Sequence, residues 1–114
     1  MKLVQVFENP LIPTPDHEKV DSRAIAGKAD GALHCDVKIG FYQPGGTSIF
    51  HSHPFSEHVF FILEGEMTVI NDKGEEITAY SNEALVVPAA EVHMAINRGP
   101  KTTTYIAVTA PPLQ

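Results

Sequence analysis

The sequence predicts an all-β domain, a sandwich or barrel built from short strands. Short patterned stretches recur at intervals of roughly 8–12 residues, about nine or ten of them in all. Nine prolines and eight glycines punctuate 114 residues, which suits frequent turns. No stretch of useful length carries a helical period, and there is no internal repeat. A chain of this length builds one core and one domain.

The elements follow in chain order. Residues 1–8 alternate loosely and read as a short strand. Pro10, Pro13 and Pro15 then forbid a helix and favour extended chain. Residues 16–26 show only a weak apolar stripe, so residues 1–33 read as an extended N-terminal arm, and His17 within it as solvent-exposed. Residues 34–41 alternate, with Cys35, Val37, Ile39 and Phe41 on one apolar face and His34 on the polar face. Gln43, Pro44, Gly45 and Gly46 predict a turn. Residues 47–53 predict the next strand, turned back by Pro54, Phe55 and Ser56. Residues 58–63 are continuously apolar after His58, which predicts burial on both faces. Strands are expected over 66–70 and 75–80, joined by a hairpin at Asn71, Asp72, Lys73 and Gly74. Short strands over 84–87, 92–97 and 103–109 complete the domain, which spans residues 34–110.

The formal net charge of −6 argues against nucleic acid and against anionic membrane surfaces, since both need clustered basic residues. No apolar run approaches the roughly 18 residues of a membrane span. The N-terminus lacks the apolar core and small-residue cleavage site of a secretory signal, so the expected location is cytoplasmic. Cys35 is the single cysteine, which rules out an internal disulfide and a cysteine-rich zinc motif.

The chemistry concentrates in the histidines. His51, His53 and His58 fall within eight residues, three of the six in the chain. On a strand, His51 and His53 would face the same way, and a tight turn would bring His58 beside them. Imidazole is a common ligand for zinc, copper, iron and nickel.

This stretch resembles the first motif of the cupin family: a glycine, five residues, His-x-His, three or four residues, a glutamate, six residues and a glycine. Gly45, His51, His53 and Gly65 occupy its positions. The second cupin motif is matched in spacing by Asn82, Pro88, Ala90, His93 and Asn97, with Asn82 and Ala90 in place of its two glycines. Asn tolerates the positive φ that glycine would supply there. The resemblance implies a jelly-roll β-barrel holding one divalent transition metal (Fe, Mn, Ni, Zn or Cu). His51, His53, His58 and His93 would be its ligands. Glu57 is the alternative to His58: it meets the spacing from His53 only, whereas His58 meets the spacing from both His53 and Gly65.

Shared strand parity assigns Ile49, Phe60, Ile62 and Ala95 to a substrate pocket, with Tyr42 and Tyr105 as further polar groups. The function expected is that of a metal-dependent enzyme on a small organic substrate. A dioxygenase or a Lewis-acid isomerase, lyase or decarboxylase fits, and a non-catalytic module holding a small ligand or a metal is the competing class. The arm over 1–33 is expected to pack on, or swap with, a partner subunit in a homodimer.

Overall fold

The computed structural model describes residues 1–113. Its strands are β1 (Leu11–Pro13), β2 (His17–Ala26), β3 (Asp36–Ser48), β4 (Glu57–Glu64), β5 (Glu66–Asn71), β6 (Glu76–Tyr80), β7 (Ala84–Val87), β8 (His93–Ile96) and β9 (Thr103–Ala110). One-turn 3-10 helices occupy Val6–Glu8 and Lys28–Asp30. The strands hydrogen-bond in the order β6-β5-β8-β3-β9-β4-β7, with β2 also on β3 and β1 on β2. Every pairing is antiparallel.

β3 turns this sheet into a jelly-roll barrel. Its first half runs between β2 and β9, while Thr47 near its end pairs with Ile96 of β8. The corner lies at Pro44, Gly45 and Gly46, where Gly45 takes a φ of 81°. The turn expected over 43–46 is thus a bend inside one continuous strand. The strand expected over 47–53 stops at Ser48, and beyond it only His51 pairs, in an isolated bridge with His93. Residues 16–26 correct the reading in the other direction: residues 17–26 form the ten-residue β2 along β3. The strand expected over residues 1–8 is absent, and the turn Val6–Glu8 buries none of its residues.

The barrel interior is more polar than the alternation suggested. On β3 it is Asp36, Lys38 and Tyr42 that face inward, around a cavity. Val37, Ile39 and Phe41 therefore face outward, the reverse of the expected sense. They join cross-strand rows: Val37, Val108, Val59 and Val86 in one, Ile39, Ile106 and Phe61 in the next. β4 follows the same parity. His58 and Ile62 are buried, whereas Phe61 is 37% and Leu63 42% exposed, so the apolar run is covered on one face only.

Below the cavity the core closes on Ile62, Met67 and Tyr105, with Val20, Tyr42 and Leu85 packed beside them. Burying an aliphatic side chain of this size contributes about 2 kcal/mol. Several buried polar residues of the core are satisfied. Thr68 and Thr78 share a 2.7 Å hydroxyl bond. Asn97 donates from Nδ2 to Tyr42 O and Lys101 O at 3.0 and 2.8 Å, and its Oδ1 accepts from Gly99 N at 2.9 Å. Asn97 thereby fixes the end of β8 against the β3 corner.

Both residues that stand in the glycine positions of the second motif take left-handed backbone, Asn82 at φ 71° and Ala90 at φ 69°. For Ala90 this conformation costs about 1–2 kcal/mol. Part of any relief is offset by the extra freedom glycine gives the unfolded chain. A90G is expected to gain about 0.5–1 kcal/mol and to raise the melting temperature by about 2–4 °C. A lowered melting temperature would show that the Ala90 methyl contributes packing that outweighs its backbone strain.

Candidate metal centre and cavity

Four imidazoles meet at one end of the barrel interior, carried by the loop after β3 and by the first residues of β4 and β8. The backbones of His51 and His93 bind each other, His51 N–H to His93 O at 3.0 Å and His93 N–H to His51 O at 2.9 Å. Their ring centres are 4.5 Å apart. His53 is held in the loop by Ala90 N–H, which donates to its carbonyl at 2.8 Å. Its ring lies 4.8 Å from that of His51 and 4.6 Å from that of His58. His58 stands on β4 opposite Val87 and Thr109, with its ring 6.0 Å from that of His93.

The ring nitrogens are already divided between two tasks. His51 Nδ1 lies 2.7 Å from Ile49 O and His93 Nδ1 lies 2.8 Å from Glu91 O. A carbonyl only accepts, so each Nδ1 carries the proton and each Nε2 keeps its lone pair. His58 Nδ1 meets the Thr109 hydroxyl at 3.0 Å. Its Nε2 is buried and has no hydrogen-bond partner. An orphaned buried nitrogen of this kind costs about 1–3 kcal/mol unless something binds it.

This donor set suits a metal ion. With a metal–nitrogen bond of about 2.1 Å, four imidazoles round one ion have ring centres about 4.5–6.5 Å apart. Five of the six separations, all but that between His51 and His58, run from 4.5 to 6.3 Å. The nitrogens themselves are not drawn into a closed cage: no group of three or more His, Cys, Asp or Glu side chains among the described residues meets the geometry for holding a metal as placed. Ring spacing, Nδ1 anchoring and the free His58 Nε2 are what fit the ion.

Burial favours the neutral form of His53, His58 and His93. It is the main cause that holds His58 down to about 3, with the neighbouring His53, His93 and His51 adding to it. Burial likewise lowers His53 and His93, with the other imidazoles adding to the effect. In the unfolded chain these groups protonate near 6.5, so the native state holds fewer protons below that pH. Stability from this source is complete above about pH 6.5 and is lost as pH falls towards about 3. Metal-free protein is expected to lose on the order of 2 kcal/mol between about pH 7 and about pH 5. Urea unfolding across that range checks this, and a flat profile would contradict it.

The cavity beneath the imidazoles measures about 380 Å³, within the range of small-ligand sites. Phe60 and Ala95 line it, as the strand parity of β4 and β8 requires. Ile62 shares the parity of Phe60 but is fully buried in the core below rather than on the lining. Ile49 departs from the expectation: it is 56% exposed and outside the cavity. Because β3 ends at Ser48, alternation does not carry past it, and Ser48 is the residue that faces in. Glu57 is exposed, while its neighbour His58 is 8% exposed and on the lining.

His17, Lys38, Asp36 and Thr109 also line the cavity, although the sequence reading did not select them. His17 is half-buried, with its Nδ1 2.7 Å from Pro15 O and its ring 5.7 Å from that of Tyr42. Burial lowers its pKa. Tyr42 and Tyr105 complete the wall, and burial raises both phenols, Tyr42 well above its usual range.

Comparison with known proteins agrees with this architecture. The family model described as "Cupin domain" matches residues 39–109. A tetracenomycin polyketide synthase protein, TcmJ of Streptomyces glaucescens, is 38% identical over 56 residues, covering 49% of this chain and 37% of that protein. The rhicadhesin receptor of Pisum sativum is 36% identical over 70 residues, 58% of this chain and 32% of the relative. The chain thus spans about a third of the length of these two curated relatives. Among solved structures, the polyketide cyclase RemF from Streptomyces resistomycificus superposes with a TM-score of 0.84 at 23% identity, over 99% of this chain and 81% of that one. A predicted oxalate decarboxylase from Thermotoga maritima superposes at 0.82 with 16% identity, over 97% and 100%.

Proposed function

The chain belongs to the cupin-domain family, and from that premise we propose that it is a metal-dependent enzyme that enolises a small carbonyl compound. The observation that carries this reading is the buried, unpartnered His58 Nε2 where four imidazoles converge. His51, His53, His58 and His93 hold the ion, and Glu57 stays outside. Four neutral imidazoles would leave a divalent ion its full charge, and the chemistry it would supply there is Lewis-acid polarisation of a carbonyl oxygen.

The chain's own residues supply the rest. The Phe60 ring stacks on His58 at 5.5 Å and shields one side of the site from water. His17, with its Nδ1 proton committed to Pro15 O, presents Nε2 as the group that accepts a substrate proton. Its lowered pKa leaves that nitrogen unprotonated at neutral pH. The buried phenols of Tyr42 and Tyr105 keep their protons and can donate to a developing enolate oxygen. The names of two similar proteins, a polyketide synthase protein and a polyketide cyclase, point the same way, because poly-carbonyl substrates enolise readily.

The test follows hydrogen–deuterium exchange at the α-carbon of a simple 1,3-diketone by NMR in heavy water. Zinc-loaded protein is expected to accelerate exchange beyond free zinc, and chelation is expected to abolish the acceleration. H17Q should keep the metal and lose most of the rate. If loaded protein is no faster than free zinc, the catalytic reading fails and the non-catalytic binding module takes its place. Oxygen uptake with the same substrates would shift the assignment to a dioxygenase.

A homodimer is part of the same proposal. The outward rows of Val37, Val108, Val59 and Val86 with Ile39, Ile106 and Phe61 give one sheet an apolar outer face, and Val86 is 65% exposed. A second copy of this chain, with the same face, would cover it. Light scattering is expected to give twice the chain mass, and V86K is expected to halve it; a monomeric wild type would end this part of the proposal.

A further inference from the structure

Lys38 is a cation without a carboxylate, placed inside the barrel. It lines the cavity from near the start of β3. Its directly paired neighbours are Ala24 on β2 and Ala107 on β9, and Ala107 in turn pairs with Phe60. Two small side chains thus flank the lysine and leave its head free to reach into the space. Asp36, one inward position back along the strand, also lines the cavity and its charge partly offsets the effect of burial on Lys38, but its Oδ1 sits against Gly27 and the two side chains form no ion pair. Among the described residues the ion pairs are Lys2 with Asp30 and Arg98 with Glu76, and Lys38 has none. Burial lowers its pKa from 10.5, which reflects how much water the ammonium has lost. A cation in a cavity whose ammonium makes no ion pair favours an anionic ligand. On a chain of net charge −6, an anion gains nothing from the overall field, so local recognition must supply the attraction.

The spacing defines the ligand further. Lys38 lies one inward position, about 7 Å of strand, from Asp36. Asp36 pairs with Thr109, and Thr109 with His58. One end of a ligand at Lys38 and the other at the imidazoles are therefore about one ring apart. The wall between them is aromatic, with Phe60 and Tyr105 ring centres 6.0 Å from each other.

We propose that Lys38 is the specificity residue of the cavity, and that it binds the carboxylate of a ring-sized organic acid whose far end meets the four imidazoles. This rests on the proposed function for the role of the far end, but the carboxylate site stands on Lys38 alone. The side chain touches substrate through a charge-assisted hydrogen bond. No proton or electron changes hands there.

The probe is 4-hydroxybenzoate, with 4-hydroxybenzamide as its neutral partner, titrated by NMR and calorimetry into zinc-loaded and metal-free protein. Wild type is expected to bind the acid and to prefer it to the amide. K38M keeps the aliphatic stem and is expected to weaken the acid about tenfold or more, leaving the amide unchanged. K38R is expected to retain most of the affinity, and K73M, at an exposed hairpin position, all of it. Equal binding of the acid to wild type and K38M overturns the proposal, as does no binding of the acid to wild type up to about 10 mM. Zinc content is measured alongside. K38M with normal zinc and unchanged acid affinity rejects the Lys38 site and leaves the metal reading standing. A wild type that takes up no zinc rejects the metal reading, and the comparison in metal-free protein still decides on Lys38.

Discussion

H58A is expected to bind zinc at least about a hundredfold more weakly than wild type, whereas E57A binds it unchanged. Loss of an outer partner alone costs a metal site about 10–100-fold, so loss of a direct ligand sets a larger floor. A chelator-competition titration reads the difference. The metal-free proteins should behave in the opposite sense. Removing His58 takes away packing against Phe60 but also removes the orphaned Nε2, whose burial costs about 1–3 kcal/mol. Metal-free H58A should therefore be about as stable as metal-free wild type. A hundredfold loss in E57A with none in H58A would transfer the ligand role to the carboxylate.

The second large effect is expected in the core. A methyl group at Gly40 would stand 2.3 Å from the Tyr105 ring and hydroxyl. Tyr105 resists displacement, because it is 2% exposed and braced by Tyr42 at 5.3 Å and Phe60 at 6.0 Å, and could yield only towards the cavity. G40A should cost about 3 kcal/mol and lower the melting temperature by about 10 °C. G40A combined with Y105L should cost less than the sum of the two single changes, since the smaller side chain vacates the contact. Additive costs would mean that Gly40 matters for some reason other than Tyr105.

The strands from β4 onward were legible because turn residues bound each of them, although β4 and β7 are continuous apolar runs without a period of two. The two cupin motifs were legible because their histidines and glycines keep fixed spacing, even where Asn82 and Ala90 replace glycine. What was hidden has one physical cause. Period-two alternation shows that a strand has two faces but not which of them is inside. On β3 the apolar set reads as the buried one, yet the cavity is lined by the polar set, Asp36, Lys38 and Tyr42. Ile49 failed for a related reason, since parity was carried beyond Ser48, where the strand ends. β2 is hard to read because only Val20 and Ser22 are buried along its ten residues, too few for an apolar period, and His17 lies at its start. Polar residues in phase with Tyr42, at Lys38 and Asp36 with Gly40 between, are the signal that finds the lining.

The bridge between His51 and His93 has a further consequence for motion. It consists of two backbone hydrogen bonds outside any ladder that would support them on both sides. Such a pair can open without unfolding the barrel, so its amides should exchange with solvent sooner than those of β9. An ion gripping both rings would hold the pair shut. Amide exchange at these two residues would then report occupancy of the centre, with no substrate and no turnover required.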